Sequence, residues 1–269
     1  MRVTVLGSGT SQGVPFIACD CAVCTSTDSR DKRTRPSILI DLEPRALRDE
    51  QRATRPEPRV QYVLVDTTPD LRQQCLANNV RRVDAVLFTH SHADHVCGFD
   101  DLRRFNQLQQ TPMPCYGDAG TLADVRRMFS YVFTTPKQQG GGVPQVRTWV
   151  IGGPFTLGAA EIVPVPVMHG ILPVLGFRIG SFAYLTDCNH IPETSWPLLE
   201  GVHTIVLDAL RRRPHSTHFS VDEAVAVVSR LGAERAYFTH ITHDLGHAET
   251  GARLPRGVEL AYDGLVIDF

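Results

Sequence analysis

The sequence has no long hydrophobic run, no excess of positive charge and no recognisable leader segment. None of its apolar stretches approaches the roughly 20 residues that a helix needs to cross a bilayer, so no membrane partner is expected. Its 27 Lys and Arg residues against 29 Asp and Glu residues give a net charge of −2. Such a chain has no overall positive field that would attract nucleic acid. Residues 3–6 predict a β-strand directly after Met1 and Arg2 rather than a signal peptide, so we expect a cytoplasmic protein.

The cysteines are too unevenly spaced for a disulfide framework. Three of the seven, Cys19, Cys21 and Cys24, stand close together near the start of the chain. The other four are scattered: Cys75, Cys97, Cys115 and Cys188. An odd count with this distribution predicts one metal cluster and otherwise buried thiols.

The pattern of hydrophobic residues predicts an α/β fold. Short runs rich in Val, Ile and Leu alternate with segments of helical spacing in both halves of the chain. Predicted strands are residues 3–6, 37–42, 62–65, 83–88, 147–151, 161–166, 177–185, 204–207, 235–238 and 260–268, and predicted helices are residues 70–78, 99–108, 122–133 and 221–231. This order predicts an αββα sandwich, in which two mixed sheets pack face to face with helices on the outer faces. No linker divides the sequence, so residues 1–269 are predicted to form a single domain.

Two polar segments are predicted to be loops. Residues 43–59 carry five arginines, four acidic residues and three prolines, which is typical of a solvated hairpin tip. Residues 134–144 contain two prolines and three consecutive glycines, and they are predicted to form a mobile loop. A lid over the functional site is the alternative interpretation of this second segment.

The strongest chemical signal is a cluster of ligand-type side chains just after a predicted buried strand. His90, His92, Asp94 and His95 follow residues 83–88 closely. Side chains alternate along an extended segment, so His90 and His92 are expected to point the same way. Asp94 and His95 fall in the turn that enters the next helix, where they can face a second metal beside the first. Imidazole and carboxylate ligands together suit Zn, Mn or Fe.

This pattern resembles the His-x-His-x-Asp-His signature of the metallo-β-lactamase superfamily and implies the metallo-β-lactamase fold. The resemblance implies three further ligands at strand ends downstream, and His169, Asp187 and His240 stand in the expected order. It also implies two divalent metal ions, Zn or Mn, in one active site. One ion would be held by His90, His92 and His169, the other by Asp94, His95 and His240, with Asp187 bridging the two. Asp66 resembles the aspartate that orients the ligands in this family.

A second motif narrows the resemblance to the phosphodiesterase branch typified by PhnP. Residues 6–15 are followed by Cys-x-Cys-x₂-Cys, and matches continue to residues 240–243 and 262–264, so they cover nearly the whole chain. In that branch three cysteines and one histidine bind a structural zinc. The corresponding residues here are Cys19, Cys21, Cys24 and His243, a closed tetrahedral set of the kind that a structural zinc requires. An iron–sulfur cluster is the alternative, but no fourth cysteine accompanies the motif.

The resemblance also implies a catalytic histidine shortly before the predicted helix 221–231. His218 occupies that place, and a histidine there can donate a proton to a leaving oxygen near neutral pH. His215 competes for this role. Asp94 is the second residue to which we assign a catalytic role, since it would hold a metal and steer the nucleophile. Three histidines are predicted to be surface or structural residues: His190, His203 and His247.

The resemblance implies metal-dependent hydrolysis of a small phosphodiester, for example a cyclic ribose phosphate. A tRNA 3′-processing endonuclease is one alternative, but it needs a basic arm to hold tRNA, and residues 134–144 contain a single cation, Lys137. A role like that of PqqB in cofactor biosynthesis would be oxidative and would leave a proton donor at His218 without a purpose. A non-catalytic metal-binding module is disfavoured by the complete ligand set. A homodimer is suggested by analogy alone.

Overall fold

Two seven-stranded sheets packed face to face form the framework of the computed structural model, which describes residues 1–43, 60–134 and 142–269. The first sheet contains β1 (Arg2–Gly7), β2 (Ser37–Asp41), β3 (Tyr62–Val65), β4 (Ala85–Leu87), β5 (Met113–Gly117), β6 (Val146–Val150) and, from the end of the chain, β14 (Val266–Asp268). The second contains β7 (Phe155–Leu157), β8 (Ala160–His169), β9 (Leu172–Ile179), β10 (Phe182–Leu185), β11 (Thr204–Asp208), β12 (Arg235–Thr239) and β13 (Val258–Leu260). Most of both predicted loops, residues 44–59 and 135–141, lies outside the described residues, and so does the lid hypothesis.

The two sheets follow the same plan. In the first, neighbouring strands are antiparallel along β14-β1-β2-β3 and parallel along β3-β4-β5-β6. In the second, they are antiparallel along β7-β8-β9-β10 and parallel along β10-β11-β12-β13. The predicted sandwich of two mixed sheets is therefore confirmed. Parallel strands gather their carboxyl ends at one edge of a sheet, which is where ligand-binding side chains collect in such folds.

Helices cover both outer faces of the sandwich. They are α1 (Leu71–Ala77), α2 (Ala93–Val96), α3 (Leu102–Gln109), α4 (Ala119–Met128), α5 (Ser130–Phe133), α6 (Val221–Leu231) and α7 (His247–Gly251), with short 3₁₀ turns at Ser29–Asp31, Phe99–Asp101 and Glu193–Leu199. Within the described ranges, no helix combines the length and apolar character that a membrane span requires.

The hydrophobic core consists of three layers. Between the sheets, side chains of β1 and β2 such as Val3 and Ile38 pack with Phe177 and Tyr184 of the second sheet. Outside the first sheet, α1, α3 and α4 bury their apolar sides together with strand residues such as Val86. Outside the second sheet, α6 does the same. Each sheet is thus covered on both faces, which explains why its central strands are apolar on successive residues rather than on alternate ones.

Helix α6 shows how the sequence specifies a local element. Ser220 caps its first turn, and Glu223 bonds back to the Ser220 amide, which completes a capping box. Gly232 ends the helix in the left-handed conformation, with φ of 72°. The apolar face of α6 is buried at Val221, Ala224, Val227 and Val228. The helix predicted over residues 221–231 is confirmed.

Two segments that were each predicted to be one strand are in fact two strands. Residues 177–185 are a hairpin of β9 and β10, which turns at Gly180 with φ of 56°. The Gly180-Ser181 pair marks this turn in the sequence, and the prediction of one continuous strand overlooked it. Residues 260–268 divide between β13 in the second sheet and β14 in the first. Asp263 fixes the crossing, since its carboxylate accepts hydrogen bonds from the amides and hydroxyls of Ser8 and Thr34.

Candidate metal centres

Ligand-type side chains from both sheets meet at the edge where the parallel strands end. Asp66 follows β3, His90 lies three residues after β4, His169 ends β8, Asp187 lies two residues after β10, Asp208 ends β11 and His240 follows β12. Asp66, Asp187 and His240 have left-handed backbones, with φ of 66°, 52° and 60°. Such a conformation costs a residue other than glycine about 1–3 kcal/mol. The fold therefore holds strained residues at this edge, which is a property of functional sites.

One group of these side chains surrounds Asp187 and Asp94. His95 Nε2 lies 3.1 Å from Asp187 Oδ1 and 3.4 Å from Asp94 Oδ2. His240 Nε2 lies 3.3 Å from Asp187 Oδ2 and 3.7 Å from Asp94 Oδ2. One ligand atom from each of these four residues lies within 4.8 Å of the others, close enough to hold one ion. The structure thus brings together the set predicted for the second metal, including its bridging aspartate.

The second group shares Asp187 with the first. His90, His92 and Asp187 offer ligand atoms that also lie within 4.8 Å of one another. The His169 ring lies 5.2 Å from that of His92 and 5.8 Å from that of His90, measured between ring centres. A ligand atom of His169 falls within 4.8 Å of Asp187 and His218 instead. His169 therefore lines the same cavity, but it is grouped less tightly with His90 and His92 than the other ligands are with each other.

The buried imidazole nitrogens fit a cation-binding site. Among the described residues, Nε2 of His90, His95 and His240 is buried and has no hydrogen-bond partner, although carboxylate oxygens lie 3.1–3.8 Å away. A buried polar atom without a partner is costly and calls for an explanation. Imidazole nitrogens and carboxylate oxygens that converge without hydrogen-bond geometry are the arrangement that divalent transition metals occupy. The residues present therefore fit two metal ions that share Asp187.

The charged side chains in the cavity also favour a cation beside the buried imidazole nitrogens. Burial lowers the pKa of His95, but Asp187, Asp66 and Asp94 outweigh it and raise that pKa well above the usual value. The same competition raises the pKa of His240 to about 9. Burial raises the pKa of Asp94, but His95 and His240 outweigh that effect and lower it. Burial also raises the pKa of Asp187, but the nearby His240 and His95 outweigh it and lower that pKa, so Asp94 and Asp187 stay ionised and the cavity stabilises cations.

Asp66 forms a hydrogen bond with His95, one of the predicted ligands. His95 Nδ1 donates to Asp66 Oδ2 at 2.7 Å, while the Thr89 amide and hydroxyl donate to the same carboxylate at 2.9 and 2.8 Å. A histidine whose Nδ1 donates to a carboxylate presents Nε2 as its free ligand atom, which is the usual arrangement around bound metals. Asp66 thus holds both the ring of His95 and Thr89, which follows β4 by two residues.

His218 is held by an aspartate that sequence analysis did not identify. His218 Nδ1 donates to Asp208 Oδ2 at 2.7 Å, and the Cys188 amide donates to the same oxygen at 3.0 Å. The His218 ring stacks on His240 at 4.5 Å between centres and meets His169 at 4.6 Å. Asp208 stands one residue after the predicted strand 204–207, the same strand-end position that identified the other ligands. That position was the signal by which it could have been found.

His215 lies on the outer side of His218. Their ring centres are 5.2 Å apart, and His215 is partly exposed. Burial lowers its pKa, and the neighbouring His218 and Arg211 lower it further. No carboxylate within the described ranges bonds to its ring, whereas His218 has Asp208. His218 is therefore better equipped than His215 to carry a proton.

The cysteine cluster and His243 meet in a separate centre. His243 Nδ1 lies 3.3 Å from Cys19 Sγ, 3.6 Å from Cys21 Sγ and 3.4 Å from Cys24 Sγ. Zn–S and Zn–N bonds of about 2.3 and 2.0 Å would place sulfur and nitrogen about 3.5 Å apart in a tetrahedral site. Phe16 stacks on the His243 ring at 4.0 Å between centres and fixes its plane. The donor set and its spacing fit a structural zinc.

Buried polar contacts hold the loop that carries both His240 and His243. Ile241 forms a parallel bridge with Gly9, through its amide to Ser8 and its carbonyl to Thr10. The buried Arg33 guanidinium donates to the carbonyls of Thr242 and Leu245 at 3.0 and 2.7 Å. The N-terminal segment is therefore connected to the His240 loop at several points, independently of any metal.

The remaining cysteines and histidines have no place in either centre. Cys115 and Cys188 are buried and Cys75 is partly buried, but Cys97 is exposed, which corrects the prediction that all four are buried thiols. Cys97 follows the short helix α2, and its turn faces solvent. His190 and His203 are exposed, and His247 is partly exposed, which agrees with the surface or structural roles predicted for them.

Comparison with known proteins places this arrangement among related folds. The family model for the Beta-lactamase superfamily domain matches residues 61–241, a span that contains His90, Asp187 and His240. An octanoyltransferase of Porphyromonas gingivalis is 35% identical over 269 residues, which cover 98% of this chain and 51% of that protein. This chain therefore spans about half the length of that curated relative.

Solved structures share the whole fold. A diphosphatase of the PhnP family is 40% identical and superposes with a TM-score of 0.86, covering 100% of this chain and 97% of that one. Zn²⁺-bound PqqB from Methylobacterium extorquens is 22% identical with a TM-score of 0.74, covering 100% of both chains. The second likeness concerns the fold alone, whereas the first extends along the entire sequence.

Proposed function

Because this chain belongs to the β-lactamase superfamily, we propose that it is a metal-dependent hydrolase of small phosphodiesters. The observation that carries the proposal is the meeting of His90, His95, Asp94 and His240 around the shared carboxylate of Asp187. The proposed ligands are His90, His92 and His169 for one ion and Asp94, His95 and His240 for the other, with Asp187 between them. Zn and Mn both suit these ligands. Cys19, Cys21, Cys24 and His243 are proposed to hold a structural zinc.

Different side chains of this protein have different roles in the proposed hydrolysis. When bound, a pair of divalent cations lowers the pKa of water and neutralises charge on phosphoryl oxygens. Asp94 and Asp187 remain ionised and hold the positively charged centre in place. His92 is exposed while His90 and His95 are buried, so substrate reaches the centre from the side of His92. Asp94 would also steer the attacking water.

His218 is proposed as the general acid. Its Nδ1 proton is held by Asp208, so its Nε2 is the atom that gives a proton to the leaving oxygen. Asp208 stabilises the protonated ring and fixes its orientation, as a buried carboxylate does for histidine in other hydrolases. The ring contacts of His218 with His169 and His240 support this role, because both of those histidines are proposed metal ligands.

The likeness to a diphosphatase of the PhnP family supports a small substrate with a phosphorus–oxygen bond to break. A small diester, including a cyclic ribose phosphate, or a diphosphate meets that requirement. Processing of tRNA is the second candidate, and the net charge of −2 disfavours it because phosphate contacts dominate nucleic-acid affinity. An oxidative role like that of PqqB is disfavoured by the His218–Asp208 pair, which is suited to proton transfer. A homodimer remains a prediction by analogy.

The proposal is tested by incubating the purified protein with Zn²⁺ or Mn²⁺ and a series of phosphodiesters. The series includes bis(p-nitrophenyl) phosphate, a 2′,3′-cyclic nucleotide, a nucleoside diphosphate derivative and a precursor tRNA. We expect metal-dependent cleavage of small esters, and its loss in Asp94→Ala with an unchanged melting temperature. Cleavage of the precursor tRNA alone, or turnover by Asp94→Ala near the wild-type rate, would contradict the proposal.

A further inference from the structure

His215 contacts His218, but the mechanism above gives it no task. It belongs to the same loop as His218, and its ring centre lies 5.2 Å from that of His218. It is partly exposed, whereas His218 is buried. A side chain in this position can touch a substrate that also reaches His218.

Hydrogen bonds fix which nitrogen of His215 carries its proton. The Thr217 amide donates to His215 Nδ1 at 3.3 Å, and the Thr217 hydroxyl oxygen lies 3.2 Å from the same atom. An amide N–H can only donate, so Nδ1 is an acceptor and the proton of the neutral ring is on Nε2. In the part of the chain that the structure describes, no group bonds to that Nε2. His215 therefore presents an N–H donor without a partner.

The ring of His215 carries its proton on the opposite nitrogen from the ring of His218. The His218 Nδ1 donates to a carboxylate, so the free nitrogen of that ring is Nε2. The His215 Nδ1 accepts from an amide, so its Nε2 carries the ring proton. Two neighbouring histidines are thus prepared for different tasks: His218 can release a proton, and His215 can donate a hydrogen bond without losing its own.

We propose that His215 donates a hydrogen bond from Nε2 to a non-bridging phosphoryl oxygen of the substrate and so positions the phosphoryl group. The proposal rests on the function proposed above, since it needs a phosphorus substrate. An anionic phosphoryl oxygen is the acceptor that matches an unpaired imidazole donor beside a general acid, because charge-assisted hydrogen bonds are the stronger ones. Every phosphodiester has such an oxygen, so the effect of His215 should not depend on the leaving group.

The test compares three substitutions at His215 that differ in whether the new side chain carries an N–H donor and how far that donor reaches. Gln reaches far enough to place an amide N–H near the position of the histidine Nε2, whereas Asn is shorter and Ala has no donor. His215→Gln, His215→Asn and His215→Ala are assayed with bis(p-nitrophenyl) phosphate and with adenosine 2′,3′-cyclic phosphate. Binding of inorganic phosphate to the metal-loaded proteins is measured by calorimetry. His203→Ala, an exposed histidine paired with Glu234, is the control.

We expect the Asn and Ala variants to raise KM for both esters, and to weaken phosphate binding, by about 10- to 100-fold, the range for one hydrogen bond to a charged group. The Gln variant should recover most of this loss, and His203→Ala should match the wild type. A lower kcat with unchanged KM, seen only with the cyclic ester, would show that His215 is the acid instead. Unchanged phosphate binding in all three variants would overturn the proposal. If the wild type cleaves neither ester, the function proposed above fails, and calorimetry with phosphate still decides the role of His215.

Discussion

His240 and His243 stand three residues apart in one loop, yet they face two different candidate metal centres. His240 Nε2 lies 3.3 Å from Asp187 Oδ2 in the cavity, while His243 Nδ1 lies 3.3–3.6 Å from the three thiols. Ile241 between them is bonded to the N-terminal segment. The cysteine centre therefore supports the position of a cavity ligand without belonging to the cavity.

Cys21→Ser is expected to lose stability before it loses catalysis. Zinc binding at a thiolate site contributes directly to the free energy of folding. A loss of about 3 kcal/mol would lower the melting temperature by about 6–12 °C in a chain of this size. Cys97→Ser, which alters an exposed thiol outside both centres, is the control and should melt like the wild type. If Cys21→Ser keeps both its zinc and its melting temperature, the structural site is wrong.

His218→Ala should slow esters with poor leaving groups far more than esters with good ones. An alkoxide needs a proton as it leaves and a nitrophenolate does not, so the loss should be about 10²–10⁴-fold for the former and small for the latter. Rates on a cyclic nucleotide and on bis(p-nitrophenyl) phosphate measure the two cases. Equal losses on both would assign His218 to substrate binding, and a loss of metal would make it a ligand.

Asp208→Asn tests the pair found only in the structure. Asn can still accept from the Cys188 amide, so the fold should be unaffected, but it cannot stabilise a protonated His218. We expect kcat for the cyclic nucleotide to fall by about 10²-fold or more, with KM and metal content unchanged. The double variant Asp208→Asn/His218→Ala should be no slower than His218→Ala alone. Additive losses would show that Asp208 acts independently of His218.

Much of the fold was predictable because the decisive signals are local. The apolar run 83–88 and its following ligands, and the capping box of α6, each depend on neighbours in sequence. The turn at Gly180 has a local signal, the Gly180-Ser181 pair, that the prediction overlooked. The crossing at Asp263 could not be predicted, because it depends on Ser8 and Thr34 far away in sequence. Long-range contacts of this kind leave no periodic pattern.

In the candidate site, too, residues with a local sequence signal could be predicted and residues that depend on distant contacts could not. The residues from His90 to His95 could be assigned from their spacing, whereas His169, Asp187 and His240 needed a family resemblance to be chosen. Asp208 was missed although its strand-end position was a signal, and its 2.7 Å contact with His218 reveals its task. The tautomer of His215 likewise depends on the Thr217 amide, a contact that no sequence pattern predicts.

The most direct test of the account is anomalous diffraction from crystals of the purified protein, recorded on both sides of the Zn and Mn absorption edges. The account predicts two ions in the cavity, both in contact with Asp187, one also bound by His90 and the other also bound by Asp94. It predicts a third ion, zinc, between Cys21 and His243. Metal-loaded crystals with no ion bound to Asp187, or with one ion bound only outside this cavity, would contradict it.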